Sequence, residues 1–288
     1  MSMLHTGGGV TAHRLLLGSQ LRRLREARGV SREDAGYSIR ASESKISRME
    51  LGRVGFKERD VADLLTLYGL DHGDERTTLL GLIAEANAVS WWHGYEDVVP
   101  TWFQTYLGLE EAASSIASYE IQYVPGLLQT EAYARAVVLL GRHNAEPEEV
   151  DRRVAVRMRR QQVLASRRAP ALHAVLDEAA LRRPCGGPDV MRGQLRHLIE
   201  AAGRPGVRLQ VVPLGTDLPG AEAGAFSVLG FAEAELPDVV YLEQFTSALY
   251  LDRPAEVAEY AAALRRLSEA SLSPERSLAL LRTVHEEI

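Results

Sequence analysis

One short stretch of the chain combines cations and small hydroxyls in a spacing that suits contact with a polyanion. In a helix over residues 42–51, a rotation of about 100° per residue places Ser44 and Arg48 on the same face. Lys45 and Ser47 flank them, and no large apolar side chain hinders close approach. An arginine fork can donate to O6 and N7 of a guanine, while hydroxyls and cations can bind phosphate oxygens. The stretch is therefore a candidate for contact with double-stranded DNA.

Two short predicted helices, joined by a tight turn, position this face. The first begins after Ser31 and the second after Ser42, two residues whose hydroxyls suit an N-cap. Ile46 and Met49 lie three apart on the side of the second helix that turns away from the polar face. Three further helices are predicted over residues 15–28, 57–68 and 74–88. We expect these five helices to form one compact domain, residues 14–88.

The same stretch resembles the helix-turn-helix of the Xre-type, phage-repressor-like regulators. The resemblance covers residues 15–70 and includes Gly36, a small residue where the two helices pack. The run Ser-Arg-Met-Glu-Leu-Gly-Arg over 47–53 is similar to the usual ending of that family: Arg or Gln, an apolar residue, Glu, any residue, Gly. Arg40 stands at the turn position where the family often has glycine, so a positive φ is expected there at a cost of about 1 kcal/mol.

The resemblance implies how DNA would be contacted. The second helix enters the major groove by its N-terminal end, with Arg48 as the main base reader and Ser44 as a second. Glu43 stands at a base-reading position, where it either accepts from cytosine N4 or repels phosphate. Arg25 and Glu50 match a partly buried ion pair of the family; the alternative is two solvated surface charges. The predicted DNA-binding residues are Arg32, Ser42, Glu43, Ser44, Lys45, Ser47, Arg48, Arg53 and Lys57.

Charge is distributed unevenly along the chain. Residues 14–59 hold twelve Arg and Lys but only six Asp and Glu, which makes this part +6. The whole chain is −6, so the remainder carries −12. A basic module on an acidic body is expected of a DNA reader with a separate domain for a partner or ligand. Because each module reads few base pairs, a twofold homodimer on two half-sites is expected.

Composition indicates an ordinary soluble globular protein of two domains. The 288 residues are 46% hydrophobic and 25% charged, and no apolar run reaches the roughly 20 residues that span a bilayer. Residues 1–13 lack the apolar core of a secretory signal and are predicted to be a flexible tail. The single cysteine, Cys185, agrees with a reducing compartment and is interpreted as structural. We expect a cytoplasmic, nucleoid-associated protein with no membrane partner.

The second domain, residues 89–288, is predicted to be a small β-sheet covered by helices. Period-2 runs begin only after residue 168, at 171–176, 207–213, 225–231, 239–242 and, as a fifth, 247–251. Helices are predicted over 130–140, 148–168, 188–202 and 254–270, and a last one is capped by Ser273 with Pro274 at its first position. The fold class is thus mainly α with a smaller α+β part. This domain is the expected regulatory, partner-binding and dimerisation body.

The predicted helix over 148–168 is strongly basic. Its arginines are Arg152, Arg153, Arg157, Arg159, Arg160, Arg167 and Arg168. One interpretation is a solvated charged face. The other is additional phosphate contact or a clamp on an acidic partner.

Aromatic residues crowd between Trp91 and Tyr106, although the whole chain is only 6% aromatic. One interpretation is a core seam where a linker meets the second domain. The other is a pocket or partner groove, since such sites are mostly apolar with a few polar anchors. Its candidate residues are Trp91, Trp92, Tyr95, Tyr119, Gln122, Tyr123 and Gln129.

Several segments of the second domain resemble the large C-terminal domain of actinobacterial, antitoxin-like helix-turn-helix regulators. These segments are residues 91–92, 119–130, 177–183, 237–243 and 248–252. The resemblance extends over nearly the whole chain. It implies a transcription regulator, often encoded beside a small acidic protein, and it identifies no effector.

An enzyme is the main alternative in a different class. The sequence has no GxxxxGK[ST] phosphate loop, no HExxH, no GxSxG and no Cys/His ligand cluster. Asp177 and Glu178 are interpreted as capping or ion-paired groups, and neither His173 nor His197 has a companion at ligand spacing. We therefore expect no catalytic residue, no metal and no cofactor. A further alternative is an antitoxin-like interaction protein that neutralises a partner and autoregulates its operon.

Overall fold

A computed structural model describes residues 12–52, 54–142, 144–232 and 236–288. It is about 58% helical, with twelve α-helices and a six-stranded mixed sheet in the described part, so the predicted fold class is confirmed. The tail predicted for residues 1–13 is wrong at Ala12 and His13, which begin the first helix. Residues 1–11 and the predicted role of Arg53 lie outside the described residues. Contacts divide the chain into two compact units, with the main division between Ala112 and Ala113.

The helical unit holds the described residues up to Ala112, together with Phe231, Ala232 and Leu236. Its helices are α1 (Ala12–Ala27), α2 (Arg32–Ser38), α3 (Glu43–Glu50), α4 (Glu58–Leu67), α5 (Asp74–Ala86) and α6 (Thr101–Ala112), with a 3₁₀ turn at Trp91–Tyr95. The first five helices share one core, because the apolar stripe of each turns inward. Fully buried members include Leu17, Leu21, Ile46, Met49, Val61, Leu64 and Leu65.

The helices on either side of the turn between α2 and α3 begin at the predicted N-cap serines. Ser31 Oγ accepts from the backbone N–H of Asp34 at 3.0 Å, and Ser42 Oγ accepts from that of Lys45 at 3.3 Å. Both predicted N-caps are therefore confirmed. Arg40 has φ 54°, the one positive φ outside glycine in the described part of the chain, which confirms the strain expected at this turn.

Gly18 brings α1 unusually close to the end of α3. A Cβ at this position would lie 2.5 Å from the carbonyl oxygen of Met49 and 2.8 Å from that of Glu50. Backbone atoms cannot move aside as a side chain could, so we expect Gly18→Ala to destabilise the unit by about 1–3 kcal/mol. Thermal unfolding followed by tryptophan fluorescence would measure this loss.

A second helical glycine supplies the matched control for that prediction. Gly81 lies within α5, is exposed, and a Cβ there would meet nothing within 4 Å. Gly81→Ala should therefore raise stability by about 0.5–1 kcal/mol, since alanine loses less backbone entropy. Equal melting temperatures for the two variants would show that α1 and α3 are not in close contact at Gly18.

The sheet unit holds Ala113–Gly230 and Pro237–Ile288. Its strands are β1 (Ser115–Glu120), β2 (Ala171–Asp177), β3 (Val207–Val212), β4 (Phe226–Gly230), β5 (Val239–Glu243) and β6 (Ala248–Leu251). Their order across the sheet is β3-β2-β1-β4-β5-β6. β1, β2 and β3 are parallel to one another, whereas β4, β5 and β6 each pair antiparallel with the preceding neighbour in that order.

The prediction that strands begin only after residue 168 was wrong. The five predicted strands are present, but β1 precedes them and lies in the middle of the sheet. A central strand is buried on both faces and need not alternate apolar and polar residues. In β1 the pattern is weakened further by Ser118 and Glu120, which share a face with Ile116.

Six helices complete the sheet unit. They are α7 (Glu131–Gly141), α8 (Pro147–Arg160), α9 (Glu178–Arg182), α10 (Pro188–Ala202), α11 (Pro254–Ala270) and α12 (Pro274–Glu287). α11 covers one face of the sheet, where Leu264 and Leu267 pack against the inward side chains of β1, β4 and β5. The predicted helix over 148–168 is shorter, because α8 ends at Arg160 and a 3₁₀ turn follows at Gln161–Ala165.

Candidate nucleic-acid interface

α3 separates its buried and exposed residues sharply. Ile46 and Met49 are each 1% exposed and pack in the core of the helical unit. Ser44 and Arg48 lie on the exposed side of the helix. The guanidinium of Arg48 is held only loosely, since Nε donates to the carbonyl oxygen of Ser44 at 3.4 Å. This arrangement leaves the Arg48 fork available to groups outside the unit.

The other predicted contacts occupy several environments. Ser42 and Glu43 are exposed at the start of α3, and Ser47 is half-buried. Lys57 is exposed immediately before α4, where it stands at the N-cap position without a side-chain cap. The start of α3 also presents backbone N–H groups, which attract a phosphate.

Two of the predicted cations already have carboxylate partners. Lys45 Nζ lies 2.6 Å from Oδ2 of Asp60 on α4. Arg32 Nε lies 3.0 Å from Oε2 of Glu50. A phosphate would have to compete with these carboxylates, so each cation adds less to DNA affinity than a free surface charge would. Both side chains stay about one-third exposed and within reach of solvent.

Glu50 is a buried carboxylate of α3 that is ion-paired with both Arg25 and Arg32. Its carboxylate is 2% exposed and accepts from Arg25 Nε at 2.5 Å and from Arg25 Nη2 at 3.2 Å. Arg25 Nη1 also donates to the carbonyl oxygen of Val30 at 2.9 Å, and its hydrogen bond to Glu50 raises the pKa of Arg25. The ion pair expected between the first and third helices is thus confirmed. It fixes the inner side of α3 to α1.

Tyr37 is a surface residue that the sequence analysis did not select. Its side chain is 87% exposed in the last turn of α2, three residues before Arg40. Because Ala35 and Gly36 are the buried residues of this helix, the next residue must project outward. That spacing was available in the sequence and would have identified Tyr37 as an exposed aromatic group beside the turn.

The predicted pocket residues are divided between the two units. Trp91, Trp92 and Tyr95 belong to the helical unit, where Trp91 packs edge-to-face against the other two rings at 5.5 and 6.3 Å. Tyr119, Gln122, Tyr123 and Gln129 belong to the sheet unit. Trp92, Tyr119 and Gln129 are 1–3% exposed, which gives each of them a place in a core.

The groups considered for chemistry in the sheet unit have structural roles. Asp177 Oδ1 accepts from the backbone N–H of Ala179 and caps α9, while Glu178 is ion-paired with Arg182. The prediction that these two carboxylates are capping or ion-paired is confirmed. His173 is hydrogen-bonded to Gln210, and burial raises the pKa of the Cys185 thiol.

The described residues contain no group of three or more His, Cys, Asp or Glu side chains placed to hold a metal ion. None of their helices has both the length and the apolar character needed to cross a bilayer.

Comparison with known families agrees with this division of the chain. A family model described as a helix-turn-helix domain matches residues 16–79, which span most of α1 to α5. A second, described as a domain of unknown function (DUF5753), matches residues 103–283. No curated protein and no solved structure matches the chain. The helix-turn-helix domain indicates DNA binding and transcription regulation, and the match over more than half of the chain shows that the protein belongs to the DUF5753 family.

Proposed function

We propose that the protein is a sequence-specific transcriptional regulator of the Xre type that reads a major groove with α3. The observation that carries the proposal is the two-sided character of this helix. Its apolar side is buried with Ile46 and Met49, and its outer side offers Ser44 and Arg48 to an approaching duplex. A rigid helix with a free arginine fork is the arrangement that direct readout requires.

The individual roles follow from chemistry and exposure. Arg48 and Ser44 would contact base edges, and Glu43 would contact cytosine N4. Phosphate contacts would come from the remaining predicted residues, which are Arg32, Ser42, Lys45, Ser47, Arg53 and Lys57. These contacts set register and affinity without reading sequence.

We further propose that residues 89–288, of which 89–112 lie in the helical unit, form a regulatory domain. Residues 14–88, together with Ala12 and His13 at the start of α1, would form the DNA-binding domain, preceded by a tail. We propose that the protein acts as a homodimer and belongs among the actinobacterial antitoxin-like regulators. Residues 89–288 hold 27 Asp and Glu against 20 Arg, and this net charge of −7 disfavours DNA as the ligand of that domain and favours a protein partner or a small effector. An interaction protein that neutralises a partner would share these features, and co-purification of a partner that blocks operator binding would distinguish it.

Arg48→Ala tests the proposed readout. Loss of a bidentate contact should reduce the preference for operator over random DNA by about 5- to 150-fold, the equivalent of about 1–3 kcal/mol. Genome-wide DNA capture with the intact protein would give the operator, and competition binding with operator and random duplexes would then measure the preference. An Arg48→Ala protein with the wild-type preference would contradict the proposal.

Two companion variants separate readout from charge. Lys45→Ala should weaken operator and random DNA alike and lower the slope of log K against log salt by at most about 1, and by less where Asp60 already neutralises the amine. Arg276→Ala removes an exposed arginine of the sheet unit and should leave both affinities unchanged. If Lys45→Ala lost as much selectivity as Arg48→Ala, base reading would not be specific to Arg48.

A further inference from the structure

The topology of the sheet defines a place where a ligand is expected. From β1 the chain moves outward to β2 and β3, then returns to the opposite side of β1 to form β4. In open α/β sheets, ligands bind at such a reversal, beyond the carboxyl ends of parallel strands. Here β4 is antiparallel to β1, so β1 ends at this edge and β4 does not. β5 runs in the same direction as β1, because each is antiparallel to β4. The carboxyl ends of β1 and β5 therefore lie at the same edge of the sheet.

Polar side chains gather on one face at this edge. Glu120 and Glu243 are the last residues of β1 and β5. Extension of the strand register, by one residue for β1 and by two for β5, places both beside Ala225. The Tyr241 hydroxyl donates to Oε2 of Glu243 at 2.9 Å. Ser118 shares the face of Glu120, is 3% exposed, and its hydroxyl has no hydrogen-bond partner within the described residues. An unsatisfied buried hydroxyl is costly, and a bound ligand would satisfy it.

Arginines of α8 face the same region. Arg153, Arg157 and Arg160 recur at i, i+4 and i+7 and so form one stripe of the helix. Arg157 Nη1 donates to Oε1 of Gln129 at 2.9 Å, in the segment that follows β1. Arg160 lies against the same segment, where a Cβ on Gly126 would be 3.1 Å from its Nη1.

The charge of Arg157 is balanced only in part by the protein, through the nearby carboxylate of Glu243. The hydrogen bond of Arg157 goes to a neutral amide, whereas the neighbouring Arg153 is ion-paired with Glu149 at 2.8 Å. Burial and the nearby Arg160 lower the pKa of Arg157 to about 10, still well above neutrality, so the side chain remains cationic. Burial and the neighbouring Glu243 raise the pKa of Glu120 to about 8, which makes its carboxyl largely neutral and a hydrogen-bond donor at pH 7.

We propose that this edge, which we call the Arg157 site, binds a small molecule through an oxyanion, either a carboxylate or a phosphate. Arg157 is the anion-binding residue, and the Ser118 hydroxyl and the Glu120 carboxyl complete the polar lining. A guanidinium fork suits both oxyanions, and the partly buried position strengthens the contact. The inference rests on the proposed regulatory function for its biological role, but binding itself requires no DNA.

Calorimetric titration of the full chain in chloride buffer at constant ionic strength tests the site. Inorganic phosphate and citrate serve as separate probes, and saturable binding of either supports the proposal while identifying the kind of oxyanion. Arg157→Gln should weaken the binding about 10- to 100-fold, as expected for a lost charge-assisted hydrogen bond. Arg159→Gln, an exposed position on the same helix, should keep the wild-type affinity.

A second variant and a measurement of operator binding distinguish loss of the site from loss of folding or of the regulatory function. Arg157→Lys retains the charge but loses the fork, and should bind with intermediate affinity if Arg157→Gln does not fold. Absence of saturable binding to both probes, or equal affinity in wild type and Arg157→Gln, would overturn the Arg157 site. Operator binding on the same preparations separates the two proposals: retained operator binding without anion binding rejects only the site. Anion binding with no operator binding supports the site and rejects the regulatory function.

Discussion

Glu50→Ala is expected to lower the free energy of unfolding of the helical unit by about 3–5 kcal/mol. The substitution removes a carboxylate that is 2% exposed and leaves Arg25, itself 8% exposed, as a buried charge without its main partner. The loss comes from this stranded guanidinium, since an intact buried pair contributes little net stability. All three tryptophans, Trp91, Trp92 and Trp102, belong to the helical unit. Urea unfolding followed by tryptophan fluorescence therefore measures the effect in the correct unit.

The neighbouring carboxylate provides the control. Glu26 is 51% exposed; it is paired with Arg22, which is 50% exposed, and lies 3.3 Å from Nη2 of Arg25. Glu26→Ala should cost less than about 1 kcal/mol, because solvent screens this carboxylate and Arg25 keeps its bonds to Glu50. Exchange of the two charges in Arg25→Glu/Glu50→Arg should recover part of the stability lost in Glu50→Ala. Wild-type unfolding of Glu50→Ala would show that the pair is not buried in solution.

The helical unit could be predicted well because its signals are local. An N-cap serine needs only the next three residues, which is why Ser31 and Ser42 are correctly assigned from the chain itself. The strain at Arg40 depends on a single residue in a tight turn. The contact of Arg25 with Glu50 spans 25 residues and was reached only through the family resemblance.

The ion pairs of Arg32 and Lys45 at the interface could not be predicted from the sequence, because they join residues that are far apart in the chain. Lys45 and Asp60 are fifteen residues apart, and only the packing of α3 beside α4 brings the amine to the carboxylate. Periodicity identifies Lys45 as a flanking cation and says nothing of its partner. The position of a helix face is thus predictable, whereas the balance of charge on that face depends on tertiary structure.

In the sheet unit, too, contacts between residues far apart in the sequence could not be predicted. β1 pairs with β2 and β4, and the residue pairs that join β1 to β4 are more than 100 positions apart. Besides Ile116 and Tyr119, its six residues carry three small side chains and one carboxylate, so no period-2 pattern marks the strand. The Arg157 site could not be found from sequence for this reason. It depends on the reversal of strand order around a strand that was not predicted.

Tyr119→Ala is expected to destabilise the sheet unit by about 3–5 kcal/mol, the usual cost of deleting a buried aromatic ring. Tyr119 is 1% exposed, its ring lies 6.5 Å from that of Phe226, and burial raises the pKa of its hydroxyl to about 12. Hydrogen exchange of the β1 and β4 amides would measure the loss in this unit.

Tyr119→Phe separates a core role from a binding role. The ring and its contacts remain, so the stability should change by no more than about 1.5 kcal/mol, the net value of one hydrogen bond. A pocket residue would behave differently: Tyr119→Ala would then leave amide protection unchanged and weaken binding of a ligand. Because Tyr119 and Glu120 are successive residues of β1 and point to opposite faces, loss of the ring should affect the core beneath α11. The oxyanion affinity of the Arg157 site should then fall only to the extent that β1 itself is displaced.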